Sequence, residues 1–338
     1  MRWPLPYTAI ALAALMLVAI TLSLTQGALS LPARDSLLAV LDALAGSRLS
    51  ALETLDRVVV LELRLPRTLL ALLVGALLAQ CGTVTQGVFR NPLADPGIIG
   101  VSSGAAVGAV IAIVWWPSQP WAVPLFAFAG GLVTTLLVYR LAQSPHGTSV
   151  FVLLLAGIAI SAFAGAAVGF AGYFSDDQKL RQLSLWQMGA LGGGTSRDLL
   201  LAAAALLLTG WQFQRHATAL NALLLGEAEA RHLGIAVEAA KFRLIVLSAI
   251  GVGVAVACAG MIGFIGLVVP HLVRLTTGPN HHSLLPLSAL CGALLLLVAD
   301  LLARLLVQPA EMPVGLVTAL LGAPFFMILL LQQRQQAL

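Results

Sequence analysis

The sequence has 338 residues, of which 59% are apolar and only 9% are charged. Soluble domains usually carry about 25% charged residues, and one membrane-spanning helix takes about 20 mostly apolar residues. The composition therefore allows at most about ten spans. It excludes an ordinary soluble enzyme, a disordered chain and a secreted disulfide scaffold, and it disfavours a porin, whose strands alternate apolar and polar residues.

The charges and cysteines exclude further classes. The net charge is only +4 and no run of lysines or arginines occurs, so nucleic acid is not an expected partner. Cys81, Cys258 and Cys291 lie far apart in apolar runs without Cys/His ligand spacing. We therefore expect small buried residues there and no metal site.

The amino-terminal apolar run, residues 9–24, follows Arg2 and has some character of a secretory signal. It is longer than the apolar region of a usual signal, and no A-x-A cleavage site follows it. We interpret it as an uncleaved first helix.

Uncharged intervals, split at tryptophan-, proline- and glycine-rich breaks, predict the helices. The interval 244–273 is too long for one helix and contains Gly260 and Gly263, so we divide it there. The result is an all-α polytopic membrane protein, with residues 1–338 forming a single transmembrane domain. The ten predicted helices are 8–29, 65–88, 97–115, 121–142, 148–172, 198–213, 241–258, 263–274, 284–305 and 313–332.

Small residues recur at helix-packing spacing in two of these helices, at 100, 104 and 108 and at 161, 165 and 169. In lipid, such faces let helix backbones approach closely. The pattern fits packing within the chain, and it also fits a dimer seam or a pore-lining face.

The chain lacks an energy source of its own. Lys179 and Lys241 are its only lysines and neither follows a glycine, so a phosphate-binding P-loop is absent. No carboxylate or histidine lies in the middle of a predicted span, whereas proton- and sodium-coupled carriers usually place ionisable groups there. A many-span membrane protein without either feature is predicted to depend on an ATPase on a separate chain. A secondary carrier and a scaffold without transport remain as alternatives.

Several long motifs resemble the FecCD family, the permeases of ATP-driven (type II) ABC importers for iron–siderophores, haem and cobalamin. The resemblance covers nearly the whole chain in order. The motifs are RLPR at 64–67, QGVFRNPLADPG at 86–97, GVSSGA at 100–105, LGEAEARHLG at 225–234, GFIGLVVPH at 263–271, DLLAR at 300–304 and LGAPF at 321–325.

The resemblance implies a BtuC-like permease fold of ten helices in the bacterial inner membrane, with both termini cytoplasmic. It implies a homodimer of permeases, two cytoplasmic ATPase subunits and a periplasmic substrate-binding protein. ATP and magnesium would bind the ATPase, and no cofactor would bind this non-catalytic chain. The 18 lysines and arginines divide equally between the two sides of this topology, so the positive-inside rule does not decide the orientation.

At the external ends of the spans, the resemblance implies that Arg64, Arg67 and Arg304 receive glutamates of the binding protein. Guanidinium suits this role because its planar fork pairs with carboxylate in a bidentate manner. The alternatives are contact with lipid phosphate, or a local pair of Arg304 with Asp300 at i, i+4 spacing.

At the cytoplasmic end, the resemblance implies a gate of Asn91, Leu93, Thr148 and Ser149. The residues by themselves indicate a turn at Asn91 and a helix start at Thr148–Ser149. On the fifth span, the predicted pathway-lining residues are Gly157, Ser161, Gly165 and Gly169.

The stretch 223–235 mixes apolar and charged residues between two glycines, which permit sharp turns at both ends of a short helix. It resembles the segments that couple family permeases to their ATPase. The predicted coupling residues are Gly226, Glu227, Ala230, Arg231 and Gly234.

The segment YFSDDQKLRQLSLWQMGALG at 173–192 is most similar to haem permeases. A siderophore or cobalamin permease can look close to it, and no His/Tyr axial-ligand pair can be assigned. The expected substrate is haem, with siderophore and cobalamin as alternatives.

Overall fold

The computed structural model describes residues 5–145, 147–308 and 310–336. In the described residues the fold is helical apart from two short antiparallel strands, β1 (Gln143–Ser144) and β2 (Gly147–Thr148). The helices are α1 (Leu5–Thr25), α2 (Ala33–Ala45), α3 (Thr54–Val58), α4 (Leu65–Phe89), α5 (Val101–Trp115), α6 (Ala122–Ala142), α7 (Val150–Tyr173), α8 (Asp177–Gln187), α9 (Ser196–Arg215), α10 (Ala217–Leu224), α11 (Glu227–His232), α12 (Val237–Ala259), α13 (Ile265–Thr277), α14 (His281–Leu305) and α15 (Val314–Gln336).

Each of the ten predicted helices has a counterpart. Six helices in the described part of the chain are long and apolar enough to cross a membrane, and α5, α13 and α15 are shorter apolar helices. Helix α9 is the tenth. The predicted break after Gly260 is confirmed, since α12 ends at Ala259 and α13 begins at Ile265.

Several predicted helix bounds are wrong by three or four residues; for example, α1 ends at Thr25 instead of 29 and α5 begins at Val101 instead of 97. Two further starts are wrong at charged residues. The second span begins at Thr54, because α3 runs into α4 through a π-helical segment, Val59–Arg64. Helix α12 begins at Val237 instead of 241. In both cases the sequence argument stopped at charged residues, whereas the structure accommodates those charges in the first turns of longer helices.

Helix α4 lies at the centre of the molecule, with 83% of its most apolar window buried. It packs against α9, α12, α13 and α14. Two glycines allow the closest crossings: a Cβ on Gly75 would overlap the backbone of Gly292, and a Cβ on Gly82 would overlap the backbone of Gly266. The absence of side chains at these points lets the helix backbones touch.

The small-residue stripe of α5 packs within the chain, against α6. A Cβ on Gly104 would overlap the Gly130 carbonyl, and one on Gly108 would overlap the Phe126 carbonyl. A Cβ on Gly100 (φ 84°) would overlap the Thr134 side chain. These residues are therefore occupied by an intrachain contact and are not free to form a dimer seam.

A proline inside α13 leaves a backbone carbonyl of that helix without its usual hydrogen-bond donor, and a side chain of α4 supplies one. Pro270 has no N–H, so the Gly266 carbonyl lacks its usual helical donor. The buried Gln86 side chain donates from Nε2 to Leu267 O at 3.1 Å and to Gly266 O at 3.4 Å. This contact joins two of the sequence motifs, QGVFRNPLADPG and GFIGLVVPH.

Replacing Gln86 with leucine is expected to lower the free energy of unfolding by about 1–3 kcal/mol, because buried carbonyls lose their donor. Denaturant unfolding in detergent measures the change. Gln80→Leu is the matched control: Gln80 is also buried on α4 and, like Gln86, has an unpartnered Oε1, but its side chain donates to no carbonyl within the described residues. Equal losses for the two variants would contradict the role given to Gln86.

Candidate functional site

At the end of the bundle where α4 begins and α14 ends, Asp300 is a buried carboxylate shared by two arginines. Arg67 donates from Nε to Asp300 Oδ1 at 2.9 Å, and Arg304 Nε lies 3.1 Å from Asp300 Oδ2. The Asp300 side chain is fully buried, and those of Arg304 and Arg67 are 5% and 11% exposed. Arg67 also contacts Glu311 at 2.6 Å, whose side chain is 56% exposed.

Arg304 and Arg64 connect this end of the bundle to α1. Arg304 donates from Nη2 to Ser23 Oγ at 2.7 Å and from Nη1 to Ser23 O at 3.1 Å. Arg64 donates to the carbonyls of Leu24 and Leu29 and is 7% exposed. A buried guanidinium is costly unless its N–H groups are hydrogen-bonded, and these oxygens supply acceptors.

The structure thus brings the three predicted docking arginines to one end and gives each an internal partner. The i, i+4 pair of Arg304 with Asp300, considered from the sequence as an alternative, is present. Docking of a binding protein stays a prediction. Arg67 is its best-placed member, because its partner Glu311 is half exposed and could be exchanged for an incoming carboxylate.

The predicted gate residues Asn91 and Leu93 lie in the turn that follows α4. Arg90 ends this helix in the left-handed conformation (φ 50°). Asn91 Oδ1 then accepts from Leu93 N at 2.9 Å, which fixes the turn. Asp95 Oδ1 accepts from Gly97 N at 2.7 Å and begins a 3-10 turn, Pro96–Ile99. Desolvation raises the pKa of the Asp95 carboxyl, and the bond from Gly97 partly offsets this shift.

The other two gate residues lie just before α7: Thr148 ends β2, and Ser149 is the N-cap of the helix, so the predicted helix start is two residues too early. Ser149 is the N-cap and its Oγ accepts from Val152 N. Thr148 is buried, and it binds Glu238 twice: its Oγ1 donates to Glu238 Oε2 at 2.7 Å and its N–H donates to the same oxygen at 2.9 Å. The Thr148 hydroxyl therefore faces α12.

The coupling segment has the predicted form. Helix α11 lies between Gly226 (φ 120°) and Gly234 (φ 80°), both in backbone conformations that favour glycine. Ala230 is fully buried against Leu223 and Val237. Gly226 also lies near the Arg90 side chain, which places the coupling segment beside the gate turn.

An ionic cluster joins the coupling segment to the start of α7. Its members are Glu227, Glu238, Lys241 and Thr148, and we call it the Lys241 cluster. Lys241 Nζ lies 3.0 Å from Glu227 Oε1, 2.9 Å from Glu238 Oε1 and 2.9 Å from Thr148 O. Sequence reasoning missed Glu238 and Lys241, although their i, i+3 spacing at the start of a helix was an available signal.

The predicted pathway residues on α7 divide into two pairs. Gly157 is buried, and a Cβ there would overlap the Ile98 carbonyl; Ser161 Oγ lies 3.1 Å from Ser103 Oγ. Gly157 and Ser161 therefore pack against the chain's own residues, because the small side chains admit the neighbouring 3-10 turn and α5. Gly165 and Gly169 are exposed with open space around them and keep the pathway prediction.

The segment that suggested haem has a structural role after α8. A Cβ on Gly189 (φ 70°) would overlap the Met261 carbonyl, and one on Gly260 (φ 68°) would overlap the Trp186 carbonyl. The Ala190 N–H donates to Ala259 O at 2.8 Å. The glycines therefore join α8 to the break between α12 and α13.

Comparisons with known proteins agree with this architecture. The model of the FecCD transport family matches residues 15–332. The chain is 54% identical over 281 residues to the hemin transport system permease protein HmuU of Yersinia pestis, covering 82% of this chain and 84% of that protein. It is 46% identical over 288 residues to the vitamin B12 import system permease protein BtuC of Vibrio cholerae, covering 85% and 86%.

Solved structures give the same result. A metal-chelate type ABC transporter in an inward-facing conformation matches with a TM-score of 0.85 and 35% identity, covering 97% of this chain and 99% of that one. PsaBC from Streptococcus pneumoniae shares the fold alone, at 19% identity and a TM-score of 0.55. Together with the apolar spans, these matches exclude the secondary-carrier and scaffold alternatives. The chain belongs to the FecCD transport family, as a multi-pass, non-catalytic permease subunit of a metal-chelate type ABC importer.

Proposed function

We propose that the permease moves haem from the periplasm to the cytoplasm across the bacterial inner membrane. The observation that carries the proposal is the 54% identity to a hemin permease, against 46% to a vitamin B12 permease over a similar length. The second candidate, cobalamin, rests on that 46% match. A siderophore is the third candidate, because one solved structure similar to this chain is that of a metal-chelate type ABC transporter.

The transport path would form between two copies of this chain. Helix α7 supports this proposal because only 17% of its most apolar window is buried within the subunit. Its exposed side chains include Phe151, Ile158, Phe163 and Phe170. Gly165 and Gly169 lie on the same helix with open space around them, where they would line the path. Asn91, Leu93, Thr148 and Ser149 would close the path at its cytoplasmic end.

A separate ATPase would bind at α10 and α11 and would hold ATP and magnesium. Leu225 and Leu233, at the two ends of α11, are 68% and 63% exposed. Exposed leucines beside a charged helix are typical of a partner-binding surface. Gly226, Glu227, Ala230, Arg231 and Gly234 would carry ATP-driven motion into the spans. In the proposed topology both termini would lie in the cytoplasm, and Arg67 and Glu311 would face the periplasmic binding protein.

The test is uptake into proteoliposomes that contain the purified permease with its ATPase and its binding protein. We expect haem to accumulate only when ATP and all three components are present. ATP-driven uptake of cobalamin or a siderophore, without haem uptake, would keep the importer and overturn the substrate. Equal haem uptake without ATP would overturn the proposed mechanism.

A further inference from the structure

The Lys241 cluster brings together three segments that are separate in the sequence. The ammonium lies on α12 and contacts oxygens of Glu227 on α11, of Thr148 in β2, two residues before α7, and of Glu238 in the first turn of α12. The Lys241 side chain is only 1% exposed. This lysine is therefore held between the coupling segment and the residues just before α7.

Because Lys241 is buried, its charge must be balanced by neighbouring groups. An ammonium group removed from water is strongly unfavourable unless opposite charges and hydrogen-bond acceptors surround it. Glu227 and Glu238 supply two negative charges, and Arg231 Nη2, 3.6 Å from Glu227 Oε2 and 3.8 Å from Glu238 Oε1, supplies a second positive charge. The charges balance only when α11 and α12 keep their present relation.

The cluster also supplies the polar contacts between α11 and the residues just before α7. In the described part of the chain, the hydrogen bonds and ion pairs between α11 and the start of α7 pass through Lys241 and Glu238. Thr148 is followed directly by Ser149, the N-cap of α7. A displacement of Glu227 therefore reaches α7 through two polar contacts, with no flexible loop between them.

Open space borders the Glu238 side of the cluster. Two open clefts, of about 500 Å³ and 430 Å³, are both lined by Gly147 and Glu238. The contact between β2 and α12 is therefore partly open to its surroundings.

We propose that Lys241, together with Glu238, is a positioning residue of transport that links movement of the ATPase-binding segment to the cytoplasmic gate. The proposal rests on the proposed function of α11 as the coupling segment. It assigns no contact with substrate or nucleotide to either residue. Their task is to hold Glu227 and Thr148 at a fixed separation, so that α11, α12 and the residues just before α7 move together.

The experiment measures substrate uptake and ATP hydrolysis in the same proteoliposomes and compares their ratio between variants. Lys241→Met removes the buried cation, and Glu238→Gln keeps an acceptor for Thr148 but removes the charge that faces Lys241. Arg243→Met is the matched control, because Arg243 is exposed on the same helix and no ion pair or hydrogen bond is recorded for it among the described residues.

We expect assembled Lys241→Met complexes to hydrolyse ATP while uptake per ATP falls at least tenfold, with a several-fold fall for Glu238→Gln and none for Arg243→Met. A wild-type ratio in Lys241→Met, or uptake and hydrolysis that fall in proportion, would overturn the proposal. If Lys241→Met does not assemble, Glu238→Gln decides, and a wild-type ratio there overturns it. Wild-type complexes that import cobalamin instead of haem would overturn only the substrate, and the ratio would then be measured with cobalamin.

Discussion

Replacing Asp300 with asparagine is expected to lower the free energy of unfolding by about 3–5 kcal/mol, the usual cost of removing one partner from a buried ion pair. Asp300 is fully buried and is the shared counter-ion of Arg67 and Arg304. Without its charge, two adjacent guanidinium groups repel each other in a region of low dielectric constant. Denaturant unfolding of the purified permease in detergent measures the change.

The control for Asp300 is Glu311→Gln, which removes the other carboxylate that Arg67 contacts. Glu311 is 56% exposed, and exposed pairs contribute only about 0.2–1 kcal/mol. We expect the stability of this variant to stay close to that of the wild type. If the two variants lose equal stability, Asp300 is not the centre of the network, and the arginines at this end of the bundle are held mainly by Ser23, Leu24 and Leu29.

Gly82→Ala is expected to cost about 3 kcal/mol or more, at the upper end of the effects seen when a packed core is overfilled. The added methyl group would overlap the backbone of Gly266, and a backbone cannot rotate away as a flexible side chain can. Helices α4 and α13 would have to separate, which would also strain the contact between Gln86 and the Leu267 carbonyl. Thermal unfolding in detergent, followed by loss of monodisperse protein, measures the effect.

The matched control for Gly82 is Gly165→Ala, another glycine within a long apolar helix. A Cβ at Gly165 meets no atom within 4 Å, so the substitution should leave stability unchanged or raise it by up to about 1 kcal/mol through the helix propensity of alanine. A Gly82→Ala variant as stable as Gly165→Ala would contradict the direct backbone contact between α4 and α13.

The helices themselves could be predicted from the sequence because spanning a membrane is a local property. About 20 apolar residues without charge form a span wherever they occur, so all ten helices and the break near Gly260 were found. The short coupling helix was also predictable, since Gly226 and Gly234 mark its ends within nine residues of sequence. Boundaries were wrong where the rule "charge ends a span" met the charged first turns of α3–α4 and α12.

The polar contacts were not predictable, because their partners are distant in the sequence. Arg67 meets Asp300 across 233 positions, and Thr148 meets Glu238 across 90. Periodicity describes which face of a helix is apolar, but it does not say which other helix covers that face. For the same reason Gly157 and Gly165 look equivalent in sequence, although the first is buried under Ile98 and the second lies open.

The sequence by itself determined that this chain is a membrane-embedded protein of about ten helices without a P-loop, because length, hydropathy and motif spacing are properties of single segments. Its motifs also carried the resemblance to the FecCD permeases. Only the tertiary structure decided which charges are buried and paired. Lys241 and Asp300 read as ordinary polar residues at the ends of spans, and the packing of α4, α11, α12 and α14 places each at the centre of an ion-pair network. A buried charge is set by its neighbours in space, and those neighbours exist only after the helices have packed.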